Sequence, residues 1–240
     1  MPRVAAAKVL SAVDRVPLRW RVAYLVGVVL VAAVIIGRGL GTGGPGAGDD
    51  IGEHGRTCPH APDLSRRAVN GVDLSQQQVP CVNLERATVT GTVQEADLSR
   101  ANLHRANLRS LWLDHVDLSD ADLAGAAAES ANLTRVKLER ADLRQAGLAR
   151  SRLENVGLQG ARLGGADLRA AALSRSDLGG ADVRGADLSG ASLFDSNLRG
   201  ARLDRAKLTN TVWSDVICPD GTKSAGDARE SCDRHLTPAR

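Results

Sequence analysis

From residue 96 onward the apolar positions recur every five residues. Ala96, Ala101 and Ala106 open consecutive units whose third positions are Leu98, Leu103 and Leu108. The beat continues without a gap through residue 215, giving twenty-four units. The third position is Leu in all but Ala128, Val183 and Trp213, and the first is mostly Ala. Period five excludes an amphipathic helix, because at about 100° per residue successive leucines would be smeared around the cylinder. It also excludes a plain strand, whose alternation needs an even period. What fits is a strand of about three residues, in-out-in, followed by two that turn a corner. Positions one and three then point inward. Pieces this short cannot bury a core alone, so they must stack as a solenoid.

The first-position column sets the number of sides. Units twenty residues apart share a residue type: one class holds Ala101, Ala121 and Ala141, and a second holds Ala106, Ala126 and Ala146. A third holds Ala96, Val116, Val136, Val156, Ser176 and Ser196. The fourth, from Leu111 to Thr211, is mixed. Like on like at this spacing predicts a four-sided coil, with six coils making a rod about 29 Å long. Ala128, small at a core position, predicts a local void or a compensating shift.

Ala-(Asp/Asn)-Leu-x-x in uninterrupted tandem resembles the pentapeptide-repeat family. That resemblance implies a right-handed quadrilateral β-helix and an all-β domain over residues 96–215. The tail from Trp213 through Cys218, Pro219, Asp220, Gly221 and Thr222 to Cys232 looks like a terminal extension of some bacterial members. It is expected to cap the last coil, with Trp213 plugging the core.

The remaining segments differ in composition. Residues 1–21 carry five cations against Asp14, and residues 22–37 carry no charge. Residues 22–38 are therefore expected to form one transmembrane signal-anchor helix, with Arg21 and Arg38 reaching the interfaces. A cleaved signal peptide is the competing reading, although no small-x-small site follows the apolar run. The cation bias places the N-terminus in the cytoplasm and the rest outside. Residues 39–57 read as a Gly-rich flexible linker. Residues 58–95 keep a weaker beat at Leu64, Val69, Leu74, Val79, Leu84 and Val89, out of phase with the main array by one residue. They are expected to form irregular starting coils with a one-residue deletion near Gly91. Residues 216–240 form the cap and tail.

All four cysteines lie outside the regular units. Four allow three pairings. Proximity along the chain favours Cys58 with Cys81 and Cys218 with Cys232, which suits an oxidising exterior.

Composition narrows the chemistry. Aromatics are only 2% of residues and the net charge is +3, so neither a basic track nor stacking platforms for nucleic acid are present. His54, Cys58 and His60 lie together without a second ligand cluster, and no metal or cofactor is expected. His104 and His115 fall on opposite sides of a coil. The many second-position aspartates are explained as solvent-facing positions beside the turns, and a filled convex rod offers no substrate pocket. Some members of the resembled family are gyrase-protecting DNA mimics with acidic rods. Residues 96–215 instead hold 17 Lys/Arg and 16 Asp/Glu, spread so evenly that no face is acidic. The reading that remains is a non-enzymatic, membrane-anchored rod outside the cytoplasm, binding an unnamed envelope protein. The alternatives are a secreted form of the rod and a cytoplasmic gyrase-directed mimic. Outward Trp112 and Phe194 on the fourth face form the candidate contact patch.

Overall fold

The computed structural model describes residues 61–224 and Cys232. The expected membrane helix at 22–38, the flanking segments 1–21 and 39–57, Cys58 and the rest of the tail lie outside the described residues. Among the described residues no helix is long and apolar enough to cross a membrane.

The chain winds into a right-handed all-β solenoid of about seven turns. Strands are three residues long: β1 (Ala68–Asn70), β2 (Thr88–Thr90), β3 (Thr92–Gln94), β4 (Trp112–Asp114), β5 (Asn132–Thr134), β6 (Arg152–Glu154), β7 (Ser192–Phe194) and β8 (Val212–Ser214). One short helix, α1 (Gly71–Leu74), interrupts the first described coil. All strand pairs are parallel, and the regular ones are offset by one coil, as in Trp112 beside Asn132 beside Arg152. On the other three faces, apart from the β1–β2 pair, the same ladder reduces to single bridges, such as Asp97 to Asp117 and Asn102 to Asp122.

The burial follows the five-residue beat. Leu143, Leu163, Ala141 and Ala161 are fully buried, and Ala and Leu from every coil join one continuous core. Coil-to-coil bonds hold the stack: Leu98 N–H donates to the Asp117 carbonyl at 2.8 Å, and Asp117 N–H to the Ala96 carbonyl at 2.9 Å. With both donors and acceptors used this way, the backbone is satisfied without long strands.

The corner is where the backbone differs from a simple strand. Every fifth position from Arg100 to Asp215 has positive φ, whether Arg, Asp, Ser or Gly. For a non-glycine residue this conformation costs about 1–2 kcal/mol. Hydrogen bonds offset that cost: Arg100 N–H reaches the Ser119 carbonyl at 2.8 Å, and Ala101 N–H closes the turn on Leu98 at 3.0 Å.

Residues 61–95 form coils of the same kind. Gln78, Asn83 and Thr88 pair with Asp97, Asn102 and Asn107, nineteen residues on, whereas Thr92 pairs with Trp112, twenty on. The missing residue therefore falls between Thr88 and Thr92, at Gly91, whose φ of +88° makes the shortened corner. Beneath β3, α1 occupies the fourth-face position. A Cβ at Gly71 would sit 2.8 Å from the Thr92 carbonyl oxygen, so only glycine lets the helix approach this closely.

At the other end the coil register runs one unit past residue 215. Asn197 bridges Ile217, while Val216 and Cys218 occupy inward positions. The chain then turns back so that Ile217 pairs antiparallel with Lys223. Cys218 is joined to Cys232 with Cα atoms 5.5 Å apart, and Trp213 is buried beneath. Cys81 is also disulfide-bonded.

An apolar cavity of about 20 Å³ lies around Ala128, walled by Leu108, Leu123, Leu143 and Leu148 among others. The void expected at this position is present because neighbouring leucines do not collapse into it.

Candidate interaction surface

Three faces and the fourth use their outward second positions differently. On the first three, Asp or Asn accepts the backbone N–H two residues on: Asp97 from Ser99 at 2.9 Å, Asp122 from Ala124 at 2.9 Å, Asp187 from Ser189 at 3.0 Å. This local bond fixes the corner, which is why the sequence repeats Asp and Asn there. The reading of these aspartates as merely solvent-facing missed that role. They are anchored, not free carboxylates.

Asp142 goes further. It is buried, and its carboxylate takes Arg144 Nη2 at 2.6 Å from its own unit and Arg162 Nη2 at 2.9 Å from the next coil. Burial alone would raise its pKa, but the Arg144 bonds and the Arg162 charge outweigh it and hold the carboxyl below its ordinary value. Other ion pairs repeat between coils, as Lys137 with Asp117 at 3.1 Å and Arg140 with Asp120 at 2.6 Å. These exposed pairs neutralise the surface and contribute little to stability each.

On the fourth face no second-position side chain among the described residues accepts a backbone N–H. Freed from that duty, the column reads Thr92, Trp112, Asn132, Arg152, Ala172, Ser192 and Val212, with a single charge. It is also the face where the ladder forms regular strands, β3 to β6 and β7 with β8. Trp112 is 53% exposed and Phe194 47%, on the same face as Val212 at 47% and, one coil below Thr92 on α1, Val72 at 65%. Of the five large apolar side chains exposed among the described residues, only Ile217 lies elsewhere. Sequence reasoning found the two aromatics but not Val72 or Val212. Val212 was legible from the twenty-residue spacing, whereas Val72 was hidden by the phase shift and the helix.

No catalytic constellation accompanies this face. His104 lies 3.7 Å from Asp122 on the first face and His115 lies 3.2 Å from Asp114 on the fourth, so each has its own partner. Among the described residues no three His, Cys, Asp or Glu side chains gather to hold a metal. A shallow depression of about 430 Å³ beside Asp97, Asp117 and Lys137 is open, and its Lys137–Asp117 pair is already closed at 3.1 Å.

A family model of pentapeptide repeats matches in eight copies, over residues 82–126, 113–148, 131–169, 151–190 and 171–210. Among solved structures the chain is similar to HetL, a pentapeptide repeat protein involved in heterocyst differentiation regulation from the cyanobacterium Nostoc. That match has 23% identity, 67% of this chain and 91% of the other covered, and a TM-score of 0.32. A pentapeptide repeat protein of the Arabidopsis thaliana thylakoid lumen matches at 22% identity over 48% of this chain and 82% of its own, with a TM-score of 0.33. QnrB1, a plasmid-mediated fluoroquinolone resistance protein, matches at 22% over 61% and 77%, with a TM-score of 0.31. No curated protein matches the chain.

Proposed function

The chain belongs to the pentapeptide-repeat family, and from that membership we propose a non-enzymatic rod that is anchored in a bacterial membrane and binds protein outside the cytoplasm. The observation that carries the reading is the fourth face: a strand ladder with exposed Trp112, Phe194, Val72 and Val212 and a single charge in its second-position column. Aromatic side chains on an otherwise balanced surface are the usual anchors of protein contacts. The basic segment 1–21, the uncharged run 22–37 and the paired cysteines support the membrane topology.

The test uses a single new thiol. With no free cysteine among the described residues, Arg202→Cys supplies a new reactive thiol on an exposed position. A membrane-impermeant maleimide is expected to label it in intact spheroplasts. Labelling only after lysis would put the rod in the cytoplasm and overturn the topology.

A further inference from the structure

We propose that two copies of this chain pair through their fourth faces, antiparallel, about a two-fold axis between the Arg152 and Ala172 rows. The inference rests on reading that face as a contact surface and names its occupant. The argument is one of charge and row order. Ladder partners are twenty residues apart, so an antiparallel two-fold sets each row of one copy against a defined row of the other. Centred between rows 152 and 172, the operation lays the Trp112 ring on the partner's Val212 and Arg152 on the partner's Ala172. At the corner column it sets Arg135 against the partner's Asp195, and the His115 ring against the partner's Asp215. Asp195 has no ion-pair partner among the described residues, so a cation is what its surroundings lack. The Nδ1 of His115 lies 3.3 Å from Arg135 Nε and 3.2 Å from Asp114 Oδ1, which leaves the Nε2 edge of the ring for the partner. No like charges meet.

Neighbouring registers fail. Sliding the axis half a coil toward the N-terminus, which moves the partner by one whole coil, puts Arg152 on the partner's Arg152 and Glu154 on the partner's Glu154. Sliding it half a coil the other way sets Arg175 against the partner's Arg175 and leaves Trp112 uncovered. A parallel two-fold would lay Trp112 on the partner's Asp114 carboxylate. Of these arrangements, one register alone sets Trp112 on Val212 and brings the opposite charges together; its two neighbours meet like charge on like. Two sheet faces meeting at about 10 Å leave room for the interdigitated ring.

The experiment is a charge swap in the full-length chain, held in mild detergent and followed by light scattering and sedimentation across concentration. Arg135→Asp and Asp195→Arg each place like charges across the axis and should move the dimer midpoint at least about tenfold toward higher concentration. The double variant restores the pair across the axis and should recover most of the shift, stopping short of the wild type because Arg135 also bridges Asp114 of its own chain at 2.8 Å. Arg and Asp already stand in this positive-φ column, so the swap leaves the corner backbone unstrained. A chain that stays monomeric, or a dimer that the swaps do not move, overturns the pairing. If such a monomer still labels outside the membrane at Arg202→Cys, the pairing falls while the anchored-rod reading stands.

Discussion

The lower coils, residues 96–155, and the upper coils, residues 156–215, build one backbone from different side chains. The clearest case is the corner that follows the fourth face. On the other corners the first-position N–H bonds back to the preceding third-position carbonyl, as Ala101 does to Leu98. Here no such bond forms. In the lower coils Val116 and Val136 fill the open corner with bulk. In the upper coils a serine of the next coil fills it with a hydroxyl. Ser176 Oγ accepts from Val156 N–H at 3.3 Å and donates to the Leu153 carbonyl at 2.9 Å. Ser196 repeats the arrangement on Ser176 N–H and the Leu173 carbonyl, and Ser224 serves Val216 N–H at 2.9 Å. The same open corner is thus closed by packing below and by hydrogen bonding above, so stacking register alone does not dictate the residue.

The largest expected contrast lies on the first face. Asp142 in the lower coils is clamped by arginines from two coils, whereas Asp182 above holds Arg184 at 2.5 Å in its own unit and is more exposed. Asp142→Ala should cost about 2–3 kcal/mol near neutral pH, because it unpairs two guanidiniums and a corner amide together. Asp182→Ala should cost less. Both carboxyls have pKa values lowered from 3.8, so their stabilisation is complete above that value and fades as pH falls below it. In acid the wild type should therefore converge on Asp142→Ala, as chemical denaturation at pH 7 and pH 2.5 would reveal. A gap that stays constant with pH would mean that the charge of Asp142 is not what stabilises the coil.

The corner itself comes next. Ser176→Ala should cost about 1–2 kcal/mol, since it leaves Val156 N–H and Leu153 C=O unpaired in a buried place. Ser176→Val, which copies the lower coils, should cost less by restoring bulk. Equal denaturation midpoints for Ser176→Ala and the wild type would show that the hydroxyl contributes nothing.

Packing separates the halves in the opposite direction. The cavity belongs to the lower coils, at Ala128, while the upper coils keep a large apolar residue at every third position, Val183 and Trp213 standing in for Leu. Ala128→Leu should stabilise the protein by about 0.5–2 kcal/mol by filling the void. A destabilised variant would mean that the surrounding leucines have already taken up the missing volume.

How far this was legible in the sequence depends on which period carried the signal. The five-residue beat gave the coil, the inward positions and the break at Gly91, because each rests on side-chain direction alone. The twenty-residue spacing gave the valine and serine column but not its chemistry, since Ser176 acts on the coil beneath it. Asp142 looks like any other second-position aspartate. Its burial comes from Arg162, twenty residues away, which no local pattern marks. Trp112 and Phe194 stood out as aromatics in a chain with few of them. The fourth face as a whole emerged only when the corner-capping role of Asp and Asn on the other three was visible.

The smallest difference concerns the backbone. Fifth positions share positive φ throughout, yet glycine fills most of them between Gly160 and Gly200 and few below. Nothing lies within 4 Å of a Cβ built at Gly190, so Gly190→Ala isolates the conformational cost from any clash. Left-handed backbone penalises alanine by about 1–2 kcal/mol, and the stiffer unfolded chain returns about 0.4–1. The net loss should be near 0.5–1 kcal/mol. Ala170, already at φ +55°, should gain a similar amount on Ala170→Gly. If both substitutions leave the unfolding midpoint unchanged, the upper coils do not owe their glycines to backbone strain. Packing between adjacent coils would then be the remaining cause, since a Cβ at Gly165 would lie 2.0 Å from the Gln145 side chain.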